Sequence, residues 1–512
     1  MKKLSSHRRS LTALLFLCTL LLSPASRGQL FTNLHSFTTF TTSDGGSPNG
    51  GMIMVSNVLY GTTPSGGSNY EGTVFRINPD GTGYSVIYNF SAATAPGGFG
   101  EGGGGIIVGG GAGGEGEGDL ASTNADGYRP NGNLVAIGNT LYGTAQNGGT
   151  NGYGTVFSLH TDGSGFTAIH YFTPPSSAPT NADGMSPNAG LVLSGNTLYG
   201  TTRQGSTNGA GAVFAINTDG SGFAILHSFQ VTTYNSTTFT FGSPDGSNPQ
   251  THLTLDPFGT LYGTTTYGGA NGGGTLFSLN TNGTGFTDLH DFNSTVDGQF
   301  PNAVTVVSNQ VYGTASGGGP NYAGTLFTMN TNGANFNVLQ TFGYSSAGNS
   351  PYADLIFSSN VLYGAFNSDA VDYSGMVFAE YADGSGFTPL YTFSTKDFVS
   401  DANSDGSYPI GLLLTNGVLY GTAQGGGSSG NGTVFSLSSL PAPSPTLNLA
   451  ENGTNVILSW TALATGFTLQ STTNLVPTVI WTAVSPSPVN LNGQLVVTNA
   501  ISGPQTFYRL AN

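Results

Sequence analysis

The chain has one cysteine, Cys18, in 512 residues. It falls within an apolar run at residues 11–22, and nothing after that run is cysteine. Disulfides, thiolate metal sites and thiol nucleophiles are thereby excluded from the rest of the chain. Charge is scarce as well, with Asp, Glu, Lys and Arg making up 7% of the residues. Lys2, Lys3, Arg8, Arg9 and Arg27 precede Gln29, and no acidic residue does. From Gln29 onward, five basic residues face 25 acidic ones, a net charge of about −20. Such a surface repels phosphate backbones, so nucleic acid is not expected as a partner. No second long apolar run follows residue 22, so no transmembrane segment is expected beyond it. The basic start, the short apolar run and the small residues of Ser23-Pro24-Ala25 predict a signal peptide over residues 1–25. Export to the cell surface or the extracellular space follows as an expectation.

What the chain does have is a repeat. Leu141-Tyr142-Gly143-Thr144, a glycine-rich loop, then Gly154-Thr155-Val156-Phe157 recurs seven times, with its Tyr at 60, 142, 199, 262, 312, 363 and 420. Periods of this length with short β-rich segments point to a propeller or an array. Each unit reads as four strands, a to d, rich in β-branched and aromatic residues and bounded by Gly, Asn and Asp. In the second copy they fall at residues 133–137, 140–145, 154–160 and 167–172. The end of LYGT lies eleven residues before the Thr position of GTVF in every copy. Such constancy marks tight, built connections. The glycine of LYGT is expected to allow close approach of the next sheet.

The seventh copy lacks a strand d, while a spare one, Phe31-Thr32-Asn33-Leu34-His35-Ser36-Phe37, stands at the other end. Both anomalies are resolved by an all-β, seven-bladed β-propeller of four-stranded blades at residues 29–440, closed by the N-terminal strand. A glycine-rich insertion at residues 91–122 has little to bury and is expected to be disordered. Residues 441–446 read as a Pro-rich linker. Residues 447–512 hold both tryptophans and several short strands, and look like a small C-terminal β-sandwich of the fibronectin type III or immunoglobulin-like kind.

The pattern of LYGT, GTVF and a following Asp-Gly-x-Gly-Phe hairpin resembles the GloVer (Gloeo_Verruco) tandem repeat of exported bacterial proteins. The resemblance extends over nearly all of residues 30–440. It implies export and a C-terminal region that varies between members. It carries over no activity and no catalytic residue.

Candidate sites follow from the loops. The d–a connections vary most in length, which places a binding face on their side of the scaffold, near the channel mouth. The b–c loops share that side and put Asn69, Asn151, Asn208, Asn271 and Asn321 at one aligned position, beside tyrosines that include Tyr153 and Tyr267. Amides and aromatic rings suit sugar hydroxyls, though Asn is equally a turn residue. The d–a connections end in Asp-Gly-x-x-Pro, except before the sixth copy, where Ala347 replaces Asp. Asp401-Ala402-Asn403-Ser404-Asp405-Gly406 matches the first half of a calcium loop, with Asp401, Asn403 and Asp405 as candidate ligands. Position twelve of that loop is Leu412, so it is no EF-hand. Strand d carries His35, His170, His227 and His290 at one aligned position; each sits on a separate blade, so they read as polar rim side chains and not as a zinc site.

The sequence thus supports an exported, non-enzymatic, monomeric protein that offers a propeller face to a glycan or an extracellular protein. A polysaccharide-active enzyme is the alternative, and it needs two carboxylates about 5–10 Å apart. Asp256 and Asp354, near strand a, are the acids left over for that role. A structural envelope component is the third reading.

Overall fold

A computed structural model describes residues 30–38, 44–94, 122–176, 180–231, 233–235, 240–343, 348–368, 373–397, 399–475, 479–500 and 506–511. The signal peptide, most of the glycine-rich insertion and Ala347 lie outside these residues. Among those described, every regular element is a β-strand.

Each repeat forms its own antiparallel sheet in the order a-b-c-d. In the second, the strands are Val135–Ile137, Thr140–Ala145, Thr155–His160 and Thr167–Tyr171. In the seventh, strand d is Leu30–Ser36, which pairs antiparallel with Thr433–Ser438 at the far end of the repeats. In the fifth and seventh repeats strand a begins earlier than expected, at Gln299 and Ser407, and runs through the proline with an irregularity just after it. No individual sheet curls into a barrel.

Strand c carries the core. Its Phe, such as Phe157 or Phe435, is fully buried in every repeat and contributes roughly 1.5–3 kcal/mol by burial. The glycine of LYGT faces that ring across its own sheet. A Cβ on Gly143 would lie 2.7 Å from Cζ of Phe157, and one on Gly421 2.2 Å from that of Phe435. This corrects the expectation from sequence: the glycine makes room for a phenyl ring of its own sheet and not for the next one.

Close approach to the next sheet belongs to a different glycine, the one that opens GTVF. A Cβ on Gly154 would lie 2.5 Å from Cδ of Pro187, in the Asp-Gly-x-x-Pro turn of the following repeat. The residue before that proline, Ser186, has φ 56° and donates its N–H to the Tyr153 carbonyl at 3.0 Å. The same bond recurs at Arg129, Asn248, Phe300, Ser350 and Tyr408. Ser47 makes it from the first repeat back to Asn431 of the seventh, at 2.7 Å. Seven hydrophobic clusters straddle consecutive repeats in the same cyclic order, including one that joins Leu34, Tyr420 and Val434 to Met52, Leu59 and Phe75.

The strand-d histidines belong to this junction. His170, His227 and His290 hold Asp183, Asp245 and Asp297 at 3.1, 2.9 and 2.9 Å, and His35 holds Asp44 at 3.2 Å. Tyr88 and Tyr391 donate to Asp126 and Asp405, both at 2.7 Å. Each of these Asp residues also accepts the backbone N–H just after strand d, as at Ser91 and Gln230. Each ring stacks on an aromatic of the next repeat, for example His227 on Phe286 at 3.6 Å and Tyr391 on Phe31 at 4.0 Å. The Asp-Gly-x-x-Pro aspartate therefore pins both ends of the d–a connection. Length can change between the pins at little cost, since loop-closure entropy grows only slowly. The fifth repeat, which leads into the connection where Ala347 replaces Asp, carries Gln340 in place of the ring.

The C-terminal region forms two small antiparallel sheets, one with Asn455–Thr461 and Gln494–Ala500, the other with Thr468–Thr472 and Phe507–Ala511. Trp460 is fully buried in a cluster shared with the sixth and seventh repeats. The Pro-rich segment is tied down: Tyr381 donates to the Pro443 carbonyl at 3.0 Å, and Ser444 N–H to Thr388 at 3.0 Å.

Two predictions follow from these contacts. Glu380 is fully buried at a strand-c position held elsewhere by Ile77, Leu159, Ile216, Leu279, Met329 and Leu437, and neither carboxyl oxygen has a partner. Burial, reinforced by Asp383, raises its pKa to about 8. The folded protein therefore binds a proton that the unfolded chain releases near its ordinary pKa, and stability is lost as pH rises towards 8. Glu380→Met should stabilise the protein by more than about 1 kcal/mol, with the gain in melting temperature growing between pH 5 and pH 8. At Asp44, hydrogen bonds from His35, Tyr84 and the Thr38 N–H outweigh the opposing effect of burial and lower the pKa to about 2. The stability it supplies is present above its unfolded pKa and is lost as pH falls towards 2. Asp44→Asn should cost about 2 kcal/mol at pH 7 in denaturant melts, with the difference closing between pH 4 and pH 2.

Candidate functional site

Where the seven strand-a starts converge, they line a depression of about 660 Å³. The residue after each Asp-Gly-x-x-Pro proline faces it: Asn49, Asn131, Asn188, Gln250, Asn302, Tyr352 and Ile410. In five repeats the residue two further on lines it as well, whereas Val304 and Leu412 turn into the core. That second position is Gly or apolar in four repeats, but Asn133, His252 and Asp354 in the other three. These three meet. His252 Nδ1 lies 3.4 Å from Asp354 Oδ2, and Asn133 Nδ2 donates to the same oxygen at 3.5 Å. Around them the amides hold one another: Asn131 donates to Asn188 at 2.7 Å and to Gln146 at 2.8 Å. Asn302 is spent on Thr314 and the Pro351 carbonyl.

A second depression of about 600 Å³ lies beside the first, and Tyr267 and Phe300 line both. Their rings meet edge to face, with centroids 5.5 Å apart. Tyr267 is 43% exposed and Tyr352 47%. Arg203 lines the larger depression. Among the described residues lining either one, Asp354 is the single carboxylate. Asp256 is elsewhere, in the a–b turn, accepting the N–H groups of Phe258 and Thr260 at 2.9 and 2.8 Å. The two acids left over from the sequence do not face each other.

The aligned b–c loop asparagines have a different use. Asn69, Asn151, Asn208 and Asn271 each donate to the carbonyl at the end of strand d of their own sheet, at 2.8–3.2 Å. Their amides fasten a loop. Asn321 is exposed. Tyr153 is half-buried in the cluster between the second and third repeats. Of the binding residues expected from sequence, only Asn271 and Tyr267 line a depression, the smaller one, and Tyr267 also reaches the larger. The signal overlooked was the residue after each proline, an amide in five repeats of seven.

The calcium candidates are engaged by protein donors. Asp401 pairs with Lys396 at 2.7 Å. Asn403 Oδ1 accepts the N–H groups of Gly406 and Gly427 at 2.8 and 2.7 Å. Asp405 accepts from Tyr391, from the Ser394 N–H and from its hydroxyl. Asn124 and Asn181 repeat the Asn403 pattern. The donor set is thus a turn lock whose lone pairs are aimed at N–H and O–H groups, and it does not fit a metal. Among the described residues, no three His, Cys, Asp or Glu side chains group as a ligand set.

The sequence profile of the Gloeobacter/Verrucomicrobia repeat matches residues 100–306, 230–435 and 304–474. The chain belongs to this repeat family. No curated protein matches it in sequence. Similar solved structures include a GH74 enzyme of Niastella koreensis, 15% identical over 84% of this chain, with TM-score 0.45. The GH74 xyloglucanase of Xanthomonas campestris is 12% identical over 85%, with TM-score 0.48. The chain spans 59% of the length of each. TolB of Acinetobacter baumannii is 10% identical over 64% of this chain and 61% of its own length, with TM-score 0.33. Within the repeat family's shared scaffold, four side chains that break the repeat, Asn133, His252, Asp354 and Arg203, all line the larger depression.

Proposed function

We propose that this chain is an exported, non-enzymatic binding protein whose seven sheets are the blades of one closed ring. In this reading residues 1–25 are a signal peptide that directs it to the cell surface or beyond. Residues 447–512 are a fibronectin type III or immunoglobulin-like spacer, and the protein works as a monomer. The ring presents its mouth to a glycan. One observation carries the reading. Strands from every repeat line a single polar depression, and the residues that depart from the repeat meet there. A fold that needed only to repeat itself would have no reason to place Asn133, His252 and Asp354 together. Amides that read hydroxyls and exposed aromatic rings that stack on sugar faces are the chemistry such a ligand requires. A lone carboxylate held by a histidine lacks the partner that glycoside hydrolysis uses, so the geometry favours holding a glycan over cutting it.

The test is a glycan array probed with the full chain after removal of residues 1–25, beside an Asn133→Ala/His252→Ala double variant with an unchanged melting curve. Binding by the parent that the variant loses is the expected result. No saccharide retained by either protein would end the glycan reading and leave protein partners.

A further inference from the structure

The arginine at the mouth is unusual. Only five basic residues lie beyond Gln29, and Arg203 is one of them. It lines the larger depression, and its Nε is sealed from solvent with no acceptor. Among the described residues it makes no salt bridge and no side-chain hydrogen bond. A buried donor left without an acceptor costs about 1–3 kcal/mol, so its persistence calls for an explanation. The nearest carboxylate of the site, Asp354, is already held by His252 and Asn133. The terminal nitrogens of Arg203 are not sealed, and with no acceptor on the chain they are open to one from outside. The planar guanidinium matches a carboxylate in two parallel hydrogen bonds, a geometry that neutral hydroxyls do not reproduce.

Shape adds a second constraint. The two depressions share Tyr267 and Phe300, so they are two halves of one cleft with an aromatic sill between them. A ligand filling both has to run across that sill, which suits a chain of rings and not a single sugar. Tyr352 offers a further exposed ring on the side of the larger depression.

We propose that the cleft takes a linear acidic polysaccharide of the uronate class, with a carboxylate on Arg203 and a sugar ring over Tyr267. The proposal rests on the glycan-binding reading above and narrows it. The net charge of about −20 does not forbid it. At physiological salt the screening length is about 8 Å, so the groups inside the cleft decide the local field, and there Arg203 is set against the single carboxylate Asp354.

Calorimetric titration of the full chain tests it, with three probes: an oligogalacturonate, its methyl-esterified counterpart and a cello-oligosaccharide of equal length. The acid should bind at least about ten-fold more tightly than the ester. Arg203→Gln should remove that preference while the melting temperature stays unchanged, and Tyr267→Ala should weaken acid and ester alike. If acid and ester bind equally and Arg203→Gln changes nothing, the uronate assignment is wrong while glycan binding stands. If none of the three probes binds, and the array is also blank, the assignment falls together with the reading it rests on.

Discussion

Each repeat is joined to the next by one backbone hydrogen bond made at very close quarters. The donor sits just before a proline in a left-handed conformation, and the acceptor sits just before a glycine with φ near 100°. The proline ring occupies the space that any side chain on that glycine would need. The bond is worth about 1 kcal/mol by itself. What makes it decisive is its sevenfold repetition, from Arg129 round to Ser47. The clusters of buried Phe, the stacked rings of strand d and the Asp pins all lie along the same seams. One spacing error would break a seam, which is why the counts between LYGT and GTVF do not drift.

Much of this was legible in the sequence because it concerns local periodicity. The four strands per repeat, the spare N-terminal strand and the hairpin turns follow from alternation, from glycine placement and from fixed spacing. What escaped were partnerships across repeats. His170 and Asp183 could be read as a rim side chain and a turn residue, each plausible alone. Only the fold shows that they hold one another and pin a connection. The covariation at the fifth repeat, Gln340 with Ala347, was the available hint. The LYGT glycine was misassigned for the same reason: its neighbour in space, the strand-c Phe, is fourteen residues away in sequence, as from Gly143 to Phe157.

Of the side chains singled out from the sequence, Tyr267 and Asn271 line a depression, and the other aligned asparagines do not. The residues that end the d–a connections line the larger depression. The aligned b–c asparagines attracted attention because they repeat, yet repetition is the mark of a structural duty, and their amides are spent on carbonyls. The departures from the repeat are what gather at the larger depression. Three residues past the third, fifth and seventh prolines stand Gly190, Val304 and Leu412, whereas Asn133, His252 and Asp354 stand at the same place in the second, fourth and sixth. Alternation from repeat to repeat brings three polar groups to one depression, an arrangement no single repeat announces.

The seams give the most direct test. Native-state hydrogen exchange can follow the seven junction amides of Ser47, Arg129, Ser186, Asn248, Phe300, Ser350 and Tyr408. If the junctions form one continuous ring, all seven should exchange only by global unfolding and share one protection free energy, Ser47 included. Fast exchange at Ser47 beside six protected amides would mean that the last repeat is not held to the first, and the account of a closed ring would be wrong.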